Sequence, residues 1–149
     1  MKTNKRNRAG AVLLTIWCGL NAMVALVVTI ATLAGRSPPA LALKLSKDEI
    51  QRLDPRAVAV VNAQAALANP CIVVVCALVL TIVWTSLMKG ASWAWWALAA
   101  TLLPLQAFGF VSDGFLGHRN VAANLVSALI LVAALVLARP PYVSDQPTR

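Results

Sequence analysis

Residues 57–88 read AVAVVNAQAALANPCIVVVCALVLTIVWTSLM, a run without one charged side chain. An α-helix rises about 1.5 Å per residue and the hydrocarbon core of a bilayer is about 30 Å thick, so about 20 residues span it. This run is longer than that. Asp54-Pro55, just ahead of it, pairs a good N-cap residue with proline at the first helical position, and predicts one helix from Pro55 to Met88. Counting back about 20 residues from Met88 reaches Asn69-Pro70. Asn62, Gln64 and Asn69 fall outside that count. The expectation is a spanning segment over 70–88, preceded by a helical extension over 55–69 that stands outside the hydrocarbon or lies at its interface. Pro70, which removes one helical hydrogen bond, is the expected kink.

The absence of charge recurs. Residues 9–35, 90–112 and 120–138 carry no Asp, Glu, Lys or Arg, and soluble core helices seldom stay uncharged for so long. Spans are therefore expected over about 10–34, 70–88, 92–112 and 120–138, with 35–69 outside the membrane. Composition agrees: 60% of residues are hydrophobic and 12% charged, against about 45–50% and about 25% in an ordinary soluble domain, and mean hydropathy is +0.76. The expected fold is all-α, a four-helix transmembrane bundle forming a single membrane domain over residues 1–149, with the lipid bilayer as its solvent. A net charge of +8 would suggest nucleic acid on a soluble protein. Here the positive charges flank apolar runs, where they orient helices, and no nucleic-acid partner is expected.

The connections differ in length. Lys89-Gly90-Ala91-Ser92 joins the second and third helices, with Gly90 suited to a helix C-terminus and Ser92 to an N-cap. Gly114 to Arg119 joins the third and fourth, and Asn120 can cap the fourth. Such short connections predict antiparallel neighbours. The stretch from Gly35 to Asp54 is the only long connection. Ser37-Pro38-Pro39 is extended, and Ser46 with Glu49 forms a capping-box pattern that places Ile50 and Leu53 on one face. A short amphipathic helix over 46–53, resting on the membrane surface, is expected in this first outside loop.

Orientation follows from Lys and Arg. With the N-terminus inside, Lys2, Lys5, Arg6, Arg8, Lys89, Arg139 and Arg149 lie inside, and Arg36, Lys44, Lys47, Arg52, Arg56 and Arg119 outside. The totals nearly balance, but the four N-terminal positives crowd the start of helix one, and Lys89 and Arg139 agree with them. Both termini are expected in the cytoplasm. Trp93, Trp95 and Trp96 after Lys89 suit a membrane–water boundary. A signal peptide ending at Ala40-Leu41-Ala42 is disfavoured, because the apolar run is far longer than an h-region of about 7–15 residues and contains Asn21.

The chain is poor in reactive groups. Cys18, Cys71 and Cys76 show no C-x-x-C spacing and read as small buried hydrophobes, with Cys71 the alternative as a single redox or acylated thiol. The only histidine, His118, lies in a loop, which excludes bis-histidine haem in one chain and leaves no metal cage. No acidic residue lies within a span, which argues against a proton-driven antiporter. The neutral polar residues remain. Asn21 falls near the middle of helix one. Gln106 on helix three and Asn124 on helix four fall at similar depth in the outer half, and are expected to hydrogen-bond each other, directly or through water. They serve either as structural glue or as the polar lining of a pocket that Pro104 helps to open. Asp113 opposes the dipole of helix three at its C-terminus and calls for a partner such as His118 or Arg119. The candidate ligand-binding residues are thus Gln106, Asn124, Asp113 and His118. Ala25 with Thr29, and Ala123 with Ser127, are small-x-x-x-small pairs suited to close helix contact.

The stretch KGASWAWWALAATLLPLQAFGFVSDGFLGHRN, Lys89 to Asn120, resembles small four-helix bacterial inner-membrane proteins of no assigned function. The likeness covers about a fifth of the chain and consists of a basic hairpin before a Trp cluster, then an acidic turn before the last helix. It implies a bundle fold and nothing catalytic, and the general style of the chain is that of a bacterial cytoplasmic membrane. The leading expectation is a non-enzymatic membrane component that associates with itself or with a partner membrane protein through the outside loop and residues 55–69. One alternative is a small transporter or channel subunit using Gln106 and Asn124. The other is a membrane enzyme or lipid-binding protein using Asp113 and His118. No cofactor, metal or catalytic residue is expected.

Overall fold

The computed structural model describes residues 5–34, 52, 54–115 and 121–140. They form four long helices: α1 over Lys5–Leu33, α2 over Pro55–Thr85, α3 over Ser92–Phe115 and α4 over Val121–Ala138. No strand occurs among the described residues. Each helix is long and apolar enough to cross a membrane by length and composition. The amphipathic helix expected over 46–53, the cap expected at Asn120, and the side chains of His118 and Arg119 lie outside the described residues.

Local chemistry sets the helix ends. The Asp54 carboxylate accepts from the Arg56 backbone N–H at 2.9 Å, with Pro55 inside the first turn, so the start of α2 is as the sequence predicts. The helix runs through Pro70 and ends at Thr85, short of the expected Met88. A 3₁₀ turn over Leu87–Lys89 follows, closed by Gly90 in the left-handed region at φ 80°. Only glycine takes that conformation without a steric penalty. Ser92 is the first residue of α3 rather than its cap, a shift of one position.

The order of the helices in space departs from their order in the chain. α1 packs most extensively, against α2 on one side and α4 on the other, and α3 packs against α4. α2 and α3 share the shortest turn yet touch little. A short connection fixes antiparallel direction but not contact along the length, and here the two helices part beyond the turn. Distances along α4 give its direction: Gly10 of α1 lies on Ala134 and Ala138, whereas Trp17 reaches Ser127. On α3, Trp95 reaches Leu135 and Gln106 reaches Asn124. Both helices therefore run antiparallel to α4. One end of the bundle carries Lys5, the 86–91 turn and Ala138 (the turn end). The other carries Leu33, Pro55, Phe115 and Val121 (the loop end).

The core occupies the turn end. Leu14, Cys18, Val83, Leu98, Leu102 and Leu131 are its largest fully buried side chains. Contact is closest where Gly10 crosses α4. A Cβ built on Gly10 would stand 2.5 Å from the Ala138 nitrogen and 2.8 Å from the Ala134 oxygen, so the absent side chain lets the two backbones meet. Ala134 and Ala138 form a small-x-x-x-small pair, which permits such an approach. The pairs singled out from sequence behave differently. Ala25 is buried but Ala123 is exposed, and Ser127 is used for a hydrogen bond. Arg6 donates to the Val136 carbonyl at 2.8 Å, a cation at a helix C-terminus where the dipole favours it. The indole N–H of Trp95 donates to the Leu135 carbonyl at 2.8 Å.

Candidate functional site

The inward stripes of the helices change character along their length. On α3 the stripe runs Ala94, Leu98, Leu102, then Gln106, Gly109, Asp113, at three- and four-residue spacing. On α4 it runs Ala138, Leu135, Leu131, then Ser127 and Asn124. On α1, Ala11 and Leu14 give way to Trp17 and then Asn21. The apolar members sit at the turn end and the polar members above them. Where the stripes turn polar, packing loosens: among the described residues 19–33, 55–75, 103–115 and 121–130, only Ala25 and Asp113 are buried.

The result is a cleft of about 320 Å³ between all four helices. Trp17 and Asn21 of α1 line it, as do Ile72, Val75 and Cys76 of α2. From α3 come Leu105, Gln106, Phe108, Gly109 and Ser112, and from α4 Asn124 and Ser127. Next on the same stripes toward the turn end, Leu102 and Leu131 are fully buried, and α2 and α3, which both line the cleft, touch little.

A relay of hydrogen bonds crosses one wall. The Trp17 indole N–H donates to Ser127 Oγ at 2.9 Å, and the Ser127 hydroxyl donates to Gln106 Oε1 at 2.9 Å. Gln106 Nε2 donates to the Asn124 backbone carbonyl at 3.3 Å, and Asn124 Nδ2 donates to the Gly109 carbonyl at 3.3 Å. The first three bonds are continuous, from indole to hydroxyl to carboxamide to the Asn124 backbone carbonyl, so their members reinforce one another; the bond from the Asn124 side chain to Gly109 is a separate one. The expected pairing of Gln106 with Asn124 is present, but through backbone carbonyls rather than amide to amide. Asn21 donates to the Trp17 carbonyl one turn back, at 2.8 Å.

Capacity remains. A carboxamide offers two donors and a two-lone-pair oxygen. In the relay Asn124 uses one donor, and Gln106 one donor and its oxygen. Asn124 Oδ1 lies 3.6 Å from where a Cβ on Gly109 would stand. The bare backbone at Gly109 thus leaves room beside the amides.

The other sequence candidates divide. Asp113 is 3% exposed, one turn beyond Gly109 on the same stripe; it has an interaction partner but is not among the side chains lining the cleft. Gln106 and Asn124 share the cleft, whereas the expected Asp113–His118 site falls partly outside the described residues, since His118 is not among them. Cys18 and Cys76 are buried, as expected, and Cys71 is exposed, against the expectation of a buried thiol. Among the described residues, no group of His, Cys, Asp and Glu could hold a metal ion.

Trp17 and Ser127 were absent from the sequence candidates. The signal that finds them is the helical stripe: Ser127 is three residues from Asn124, and Trp17 four from Asn21. No family model matches the chain, and neither the curated proteins nor the solved structures contain a match.

Proposed function

We propose that this chain is an integral membrane protein of the bacterial cytoplasmic membrane, with both termini in the cytoplasm, that works by binding rather than by chemistry. It holds a small membrane-borne amphiphile in the cleft. Four observations support the setting. Leu129 and Phe108 are each 70% exposed, and Val27 and Ile30 are exposed beside them, far more apolar surface than a soluble monomer leaves open. The hydroxyls of Thr81 and Thr101, on exposed positions, donate to the carbonyls of Ala77 and Ala97, the internal solution that an apolar surrounding demands. Lys5, Arg6, Arg8, Lys89 and Arg139 all stand at the turn end, which supports a cytoplasmic setting for that end, since positive residues favour the inner face. Trp93 and Trp96, exposed beside Lys89, suit the same boundary.

The observation that carries the binding function is the cleft: a cavity with an apolar wall and a few convergent neutral polar groups, lined by α2 and α3 where these two helices touch little. That combination is what small-molecule sites use. Amides, hydroxyls and an indole orient a guest, but none of them is an acid or base at neutral pH. The packed turn-end core closes the cleft below, which favours binding over conduction. The contact surface of the association hypothesis is the outside loop, which lies mostly outside the described residues, together with residues 55–69, which form the first half of α2; the cleft offers a second route to function with polar groups already gathered in it.

The test is extraction of the purified protein, prepared gently with its own lipids, into organic solvent. One small molecule per chain is expected from the wild type, and loss of it from Gly109→Phe, which fills the cleft without touching the turn-end core. No retained molecule, with a second copy or partner protein co-purified instead, would overturn the proposal in favour of association.

A further inference from the structure

Resting on that binding function, we infer that the guest carries an uncharged polar head, a hydroxyl or carbonyl, on an apolar chain that leaves the cleft between α2 and α3. The head is set by what lines the cleft. Gln106, Asn124, Ser127, Asn21 and Ser112 present carboxamides and hydroxyls, and among the described residues no Asp, Glu, Lys, Arg or His lines the cleft. An ionic head here would sit in an apolar surrounding without a countercharge, which is strongly unfavourable. A hydroxyl or carbonyl meets complementary partners, since carboxamides both donate and accept.

Asp113 is the ionisable group that bears on this. It lies next to Ser112 in sequence, and one turn from Gly109. It is buried, has an interaction partner and is not part of the lining, so it does not itself present a charge to the cleft. Asp54 and Arg56 begin α2 at the same end of the bundle and are exposed, far in sequence from the cleft residues Ile72 to Cys76. The charges of α1 and α4 described here, on Lys5, Arg6, Arg8 and Arg139, stand at the opposite end.

Size narrows the class further. A volume of about 320 Å³ is at the low end of ligand pockets. That suits a compact head and the first part of one chain. The wall that receives the chain is apolar: Ile72 and Val75 on α2 face Leu105 and Phe108 on α3.

Three photoreactive probes with one hexadecyl chain test the inference, ending in a hydroxyl, a sulfonate or a trimethylammonium group. Each is presented to the full chain in phosphatidylcholine vesicles, and labelled residues are mapped by peptide mass spectrometry. Only labelling displaced by excess unlabelled alcohol counts, because exposed residues also meet bulk lipid. The expected result is displaceable labelling over 72–76 and 105–112 by the alcohol, at least tenfold above either charged probe, and its loss in Gly109→Phe. In Gln106→Leu with Asn124→Leu the tenfold preference collapses. Equal displaceable labelling by all three heads overturns the uncharged-head inference and leaves cleft binding standing. Preference for trimethylammonium overturns it in favour of pairing with Asp113. No displaceable labelling by any probe removes the binding function itself.

Discussion

The two halves of this bundle are made of the same four helices and packed by different rules. At the turn end, Leu14, Leu98, Leu102 and Leu131 close a core with no exposure of any of them above 1%, and Gly10 brings α1 against the α4 backbone. At the loop end the same stripes present Asn21, Gln106, Asn124 and Ser127, and the helices stand around a cavity. A polar side chain in the interior must satisfy its hydrogen bonds, and doing so holds helices at the spacing of those bonds rather than at that of close-packed methyls. Apolar stripes make a scaffold, and polar stripes on the same helices make a site.

Substitutions that treat the halves alike should therefore give unlike results, read as unfolding free energy in mixed micelles with circular dichroism. Leu98→Ala removes a side chain 1% exposed and is expected to lower stability by about 3 kcal/mol. Leu129→Ala, on a position 70% exposed, should stay within about 0.5 kcal/mol of wild type. Similar losses at both positions would mean that the turn end is not the core. Gly10→Ala sets a methyl against the Ala138 backbone and should cost about 2 kcal/mol despite the better helix propensity of alanine. Trp17→Phe removes the donor at the head of the relay and should lower stability by about 1 kcal/mol; an unchanged midpoint would show that the relay does not hold α1 to α4. Gly109→Ala is expected to be neutral, within about 0.5 kcal/mol, since its methyl would meet Asn124 Oδ1 at 3.6 Å, ordinary contact.

Much of this architecture is legible in the sequence. Uncharged runs give the four helices, Asp54-Pro55 gives the start of α2, and Gly90 gives the turn, because each rests on local chemistry. Gln106 and Asn124 are legible as a pair because depth along antiparallel helices can be counted. What the sequence hides is rotation and contact. Gly10 is one small residue among many, and only the crossing with Ala134 and Ala138 makes it decisive. The separation of α2 from α3 is hidden too, since a tight turn predicts neighbours and says nothing of what stands between them farther along. Trp17 draws no notice in the sequence, and only the packing of α1 on α4 places it opposite Ser127.

The most direct measurement places one bulky side chain in each half and compares the two proteins. Gly10→Phe and Gly109→Phe are expressed, purified and unfolded under the same conditions. Gly10→Phe is expected to lose the native fold, because no space exists between α1 and α4. Gly109→Phe is expected to fold, with stability within about 1 kcal/mol of wild type, because the ring enters the cleft instead of displacing a helix. Equal loss in both would contradict the account, since it would mean that the loop-end half is as closely packed as the turn end and holds no open site.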